Sequence, residues 1–94
     1  MFVRTVSLTL IIPGALSLKD KRQVLQSLIE KVRRKFNVAV AEVGFQDQWQ
    51  RSEIGLAFLS NRFSRLEETQ MEIFKFLEDS LLVEITGYEV NDYS

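Results

Sequence analysis

Thr5-Val6-Ser7-Leu8-Thr9-Leu10-Ile11-Ile12-Pro13-Gly14-Ala15-Leu16-Ser17-Leu18 is the stretch on which the fold turns. Val6, Leu8 and Leu10 alternate with Thr5, Ser7 and Thr9. That period of two marks a strand from Phe2 to Ile12 with one apolar and one polar face. Pro13-Gly14 stops it. Ser17 then reads as an N-cap, with Asp20 at the third helical position, close to a capping box. Leu18, Leu25, Leu28, Ile29, Val32 and Phe36 fall within one arc at 100° per residue, so a helix is expected from Leu18 to Phe36, ended by Asn37.

Downstream of that helix, Val38 to Phe45 is rich in Val and Ala and reads as a second strand. Gln46-Asp47-Gln48-Trp49 forms the turn, and Gln50 to Ser60 is a third strand. The pattern breaks at Ser60 to Ser64. Ser64 and Glu67 have capping-box spacing, so a second helix is expected to begin there, with Leu66, Ile73, Leu77 and Leu81 facing inward. Leu82 to Val90 is the last strand, with Gly87 as a bend or bulge. The order β-α-β-β-α-β is the split βαβ arrangement of ferredoxin-like α+β domains. Right-handed crossovers give the sheet order 4-1-3-2, with both helices on one face.

The chain has 94 residues, 46% hydrophobic and 27% charged, with no Cys and no His. This is one domain, residues 1–94, since two cores would each be too small. Disulfides, thiolate metal sites, cysteine nucleophiles and the commonest general base and metal ligand are absent. No pair of convergent acids replaces them, so the expectation is a protein that is not an enzyme, without cofactor, metal or catalytic residues. The formal net charge is −1, which rules out a global basic field but not a local patch. No apolar run reaches the length of a membrane span, and the first residues lack signal-peptide order, so a soluble cytoplasmic protein is expected.

The topology gathers residues that lie far apart in sequence. Pro13-Gly14, Ser17 to Arg22 and Gln46 to Arg51 should meet at one pole, which then holds Lys19, Lys21, Arg22, Asp47, Trp49 and Arg51. By helical angle Lys21 and Arg22 lie toward the sheet. Either their stems cover the sheet end and their heads meet Glu42, Asp47 or the acidic end of the second helix, or they form an anion or partner site. Trp49 is either a lid over the core or an exposed anchor. Asp47 most simply makes an Asx turn.

The opposite pole should collect Arg33, Arg34 and Lys35 with Arg62 and Arg65. These cations either complement a helix C-terminus or contact a phosphate backbone. The uncovered sheet face is expected to show Thr5, Ser7, Thr9, Ala39, Ala41, Ala57, Leu59, Thr86 and Tyr88. It lacks the central aromatics of an RNA-recognition sheet and suits self-association. Val38 to Phe45, an edge strand without Lys or Pro, could pair with a second copy.

Two segments carry a family resemblance: Ile12-Pro13-Gly14-Ala15-Leu16-Ser17-Leu18-Lys19-Asp20-Lys21-Arg22, and Asn37 to Val43 followed by Gln46-Asp47-Gln48-Trp49-Gln50-Arg51. They resemble the YlxP-like family of small bacterial proteins, a domain-of-unknown-function family. The resemblance spans nearly the whole chain. It implies a ferredoxin-like fold and no established catalytic residues. It also implies a gene setting near translation-initiation and ribosome-maturation factors. Where relatives often carry an acidic residue and a His, this chain has Gly44 and Phe45.

The expected function is a non-enzymatic accessory protein, associated with ribosome maturation or translation through RNA or ribosomal-protein contacts. Arg33, Arg34, Lys35, Arg62 and Arg65 are the RNA-binding candidates, and Lys19, Lys21, Arg22, Asp47, Trp49 and Arg51 are the second candidate surface. The alternative is a small dimeric regulatory module that binds a small ligand at the Pro13-Gly14 pole, its dimer formed through the sheet edge or the open face.

Overall fold

The computed structural model describes residues 1–94. Its elements are β1 (Phe2–Ile11), α1 (Leu18–Phe36), β2 (Ala39–Gly44), β3 (Arg51–Ser60), α2 (Phe63–Glu78) and β4 (Glu84–Tyr93). The four strands form one antiparallel sheet in the order β2-β3-β1-β4, as the crossover rule requires.

Alternation along β1 buries Val6, Leu8 and Leu10 against both helices, and Ile12 continues the row. Ile54, Leu56 and Phe58 extend it on β3, and Leu25, Leu28 and Val32 of α1 close over it. Each such residue, fully buried, contributes about 1.5–3 kcal/mol. α1 has the expected bounds. The Ser17 hydroxyl accepts from the Asp20 amide at 3.0 Å. Asn37 ends the helix in the left-handed region at φ 52°, ψ 52°, its N–H donating to the Arg33 carbonyl.

Three expectations are corrected. The second helix starts at Phe63, with Arg62 as its N-cap and no side-chain cap bond. The Ser60 hydroxyl accepts from the Arg62 amide at 3.1 Å, so the turn closes earlier and Ser64 already lies inside the helix. At its other end, α2 stops at Glu78, where Asp79 N–H bonds to the Lys75 carbonyl and Ser80 N–H to the Leu77 carbonyl. Leu81 is therefore outside the helix and 99% exposed. Thr69, not Leu81, is the fourth inward residue, with Leu66, Ile73 and Leu77.

The third correction concerns β4. Thr9 pairs with Gly87, but Leu10 pairs with Ile85, which leaves Thr86 as the extra residue of a bulge. Beyond it the parity of the strand is inverted. Tyr88 therefore sits opposite Leu8 on the helix side, its ring edge-on to Phe74 at 5.0 Å. Glu89, Asn91 and Tyr93 take the open face opposite Ser7, Thr5 and Val3.

Candidate interaction site

The β1–α1 connection and the β2–β3 hairpin are laced together at one pole. Gln50 donates from its amide nitrogen to the carbonyls of Ala15 at 2.9 Å and Pro13 at 3.2 Å. The Ile12 amide donates to the Gln50 carbonyl at 2.8 Å. These bonds satisfy backbone groups that neither element can pair internally.

Lys21 is the deepest part of this lacing. It is 1% exposed, because it lies on the buried arc of α1, four residues before Leu25. Its ammonium has three partners: the Phe45 carbonyl at 2.6 Å, the Glu42 carboxylate at 3.0 Å and the Gln46 carbonyl at 3.5 Å. The Ser52 hydroxyl, itself buried, donates to the same Glu42 oxygen at 2.6 Å. The ammonium is thus hydrogen-bonded to two carbonyls and ion-paired with a carboxylate, which is the condition for tolerating a buried charge.

Phe45 adopts φ 56°, a conformation costly for a bulky residue. Its carbonyl accepts from both Lys21 and the Gln48 amide, at 3.0 Å for the latter. The surrounding bonds over-determine this backbone, so the hairpin tip is held in one shape. Outside, the Arg51 guanidinium lies 4.0 Å over the centre of the Phe45 ring.

The remaining candidates at this pole divide differently from the expectation. Arg22 does not share Lys21's buried position. It is exposed and lines a groove between α1 and β2 with Gln26, Arg33 and Glu42. Lys19 and Asp47 are exposed as well. Trp49 is 54% exposed and so does not cap the core. The laced backbone and Ile12, 1% exposed, already close that end. Trp49 instead lines a shallow depression with Ile11, Gln48, Gln50 and Arg51.

The five cations assigned to the other pole do not form one cluster. The Phe36 ring meets the Phe76 ring edge-on at 5.8 Å, and the Lys35 ammonium lies 5.0 Å over Phe76. The basic end of α1 therefore rests on the C-terminal half of α2. Arg62 and Arg65 stand at the other end of α2, about 16–21 Å away along its axis. Arg65 is engaged by Glu68 at 3.2 Å and Glu72 at 3.4 Å. Arg33 donates to the Val40 carbonyl of β2 at 3.1 Å, and Arg34 stands 3.9 Å from Glu30.

A buried arginine near the start of β1 organises this pole. Arg4 is 3% exposed. Its guanidinium grips Asp92 with two bonds, at 2.6 and 2.8 Å, and reaches Glu67 at 2.7 Å and Gln70 at 2.6 Å. Hydrogen bonding to Asp92, then to Glu67, holds its proton more firmly than usual, and the Arg4 bond pulls the Asp92 carboxyl below its ordinary value. Parity was the available signal: Arg4 shares its face with Val6, Leu8 and Leu10.

No three acidic side chains converge where a metal ion could sit. No helix is long and apolar enough to cross a membrane. What is left on the surface is a segregation of charge. α1 carries seven basic and two acidic residues, the rest of the chain five basic and eleven acidic. Of the seven, only Lys21 is buried; Lys19, Arg22, Lys31, Arg33, Arg34 and Lys35 are exposed.

Residues 3–90 match the family model described as "Protein of unknown function (DUF503)". The chain is also 38% identical over 76 residues to "Uncharacterized protein YlxP" of Bacillus subtilis (strain 168), which covers 81% of this chain and 83% of that protein. Matches of this extent establish what the two motifs suggested: the chain belongs to the DUF503 family.

Proposed function

We propose that this protein is a non-catalytic accessory factor that docks the outer face of α1 on the phosphate backbone of RNA, as displayed by a ribosomal subunit. The charge segregation carries this reading. Six exposed cations lie along a helix of 19 residues, about 28 Å long. Only two carboxylates share that helix. Asp20 is turned to the Leu16 amide at 3.1 Å, and Glu30 faces Arg34. Gln23, Gln26 and Ser27 fill the exposed face between the cations with neutral hydrogen-bonding groups. The acidic remainder of the molecule repels a polyanion, so only this face approaches it.

Arg62 and Arg65 are not part of the docking face, since they stand apart from it and Glu68 and Glu72 neutralise Arg65. The test is co-sedimentation of the purified protein with small and large ribosomal subunits at low and high salt. Retention on one subunit is expected, and four phosphate contacts would give a log–log salt slope of about −3. The double variant Arg22→Glu/Arg34→Glu, both exposed, should abolish retention while leaving the melting temperature near wild type. Absence of retention at low salt, or retention indifferent to that variant, overturns the reading.

The open sheet face favours a second reading, the dimeric regulatory module. Val43 and Leu59 are exposed beside a floor of Ala39, Ala41, Gly55 and Ala57. Sedimentation equilibrium and a melting-temperature screen with small metabolites test it; a monomer whose melting temperature no ligand moves removes it.

A further inference from the structure

We infer that the tip of the β2–β3 hairpin is a stacking site for a single unpaired RNA base, held between the Trp49 indole and the outer face of the Arg51 guanidinium. This deepens the RNA reading above and rests on it. Three observations converge on the site.

The first is the plate. One face of the Arg51 guanidinium is spent on the Phe45 ring at 4.0 Å. Arg51 is exposed, so the opposite face of this flat cation is open to a second π system. The second is Trp49, which lines the same depression as Arg51 and leaves 54% of itself in water. An indole more than half in water adds little to the core, yet it offers the largest stacking surface among side chains. Gln48, on the same wall, carries a neutral donor and acceptor for a base edge. The depression is open and shallow, with Ile11 and Trp49 as its only apolar lining. That shape suits a flat base better than an apolar peptide side chain, which needs a pocket.

The third observation is that the hairpin tip adjoins the start of the docking helix. Lys21 ties its ammonium to the Phe45 and Gln46 carbonyls, which sets the hairpin tip against the first turns of α1. Lys19 and Arg22 are exposed there. Arg51 pairs with Ile11 and alternates with buried Ser52, so the depression lies on the sheet face away from α1, and a strand whose phosphates follow the start of α1 reaches it by crossing over the hairpin tip. The bonds that fix Phe45 hold the plate before the ligand comes, which lowers the ordering cost of binding.

The chain has one tryptophan, so intrinsic fluorescence reports this site alone. The experiment titrates the full-length protein with a fluorescein-labelled, unstructured ten-nucleotide RNA, and with an abasic strand of the same length. Anisotropy reads binding, and Trp49 emission reads stacking. The RNA should quench Trp49 and the abasic strand should bind without quenching. Trp49→Ala should weaken binding of the RNA by about 5- to 150-fold, the worth of one stacked base, and leave the abasic strand unaffected. Arg51→Lys, which keeps the charge and loses the plate, should also weaken the RNA selectively.

RNA binding with unchanged Trp49 emission and full affinity in Trp49→Ala overturns this inference and leaves the α1 docking face standing. Failure of both strands to bind at low salt overturns the docking face and this site with it. Equal quenching by the abasic strand overturns base stacking in favour of a backbone contact.

Discussion

Lys21 and Glu42 are a pair whose two halves should not be equivalent. Glu42→Gln leaves the Lys21 ammonium at 1% exposure with only neutral partners. Breaking a buried pair this way costs about 3–5 kcal/mol. Lys21→Met keeps much of the stem's packing and removes the charge. Glu42 then retains the Ser52 hydroxyl at 2.6 Å, and its side chain is 21% exposed, so water reaches it. The Phe45 carbonyl retains the Gln48 amide. Lys21→Met should therefore cost less, about 1–3 kcal/mol. In the double variant no orphaned charge remains, so its cost should fall below that of Glu42→Gln alone.

Urea denaturation at neutral pH measures all three. With a slope near 1–1.5 kcal/mol per molar for a domain of this size, Glu42→Gln should move the midpoint down by about 2–5 M. Against a total stability of about 5–15 kcal/mol, that variant still folds in most of this range. If Lys21→Met proved the more costly, or if the two effects simply added, Lys21 would not be the buried charge that needs Glu42. The reasoning would then fail.

Acid should act through Asp92. Its folded-state carboxyl lies below the ordinary 3.8 because Arg4 donates to it. The stability it contributes is complete above about 3.8 and disappears as pH falls through the lower folded value. Asp92→Asn should lower the urea midpoint at pH 7, and the two proteins should converge as pH approaches 2. Ser17→Ala should cost about 1 kcal/mol for the lost cap, whereas Ser64→Ala should stay within about 0.5 kcal/mol. Thermal melts of the two variants side by side check this; equal effects would refute the assignment of the α2 start.

The parts legible in the sequence were those set by period. Val6, Leu8 and Leu10 alternate, and Leu25, Leu28 and Val32 recur on one arc, so strand, helix and layer order follow directly. Local chemistry was less transparent, because several residues could serve the same purpose. The spacing of Ser64 and Glu67 matches a capping box, but the Ser60 hydroxyl closes the turn earlier and leaves Ser64 inside α2. Tyr88 was misassigned because one extra residue, Thr86, inverts every side chain after it. Lys21 falls within the apolar arc of α1 by angle, whereas Arg22 falls at its edge. One step of 100° moves Arg22 from the seam to the surface. Trp49 as a lid presumed an open core end, but backbone bonds from Ile12 and Gln50 had already closed it.

The Arg4–Asp92 grip has a consequence for the order in which the chain can be connected. The two residues are 88 positions apart, yet β1 and β4 lie side by side as far as Val3 and Tyr93. Forming this contact closes almost the longest loop the chain allows, and its entropy must be met before the ion pair returns anything. A circular permutant that joins the two ends by a short linker, with new ends opened beside the exposed Leu81, would make the same contact a neighbourly one. The native sheet would be unchanged, and the slowest closure in the molecule would become one of its fastest.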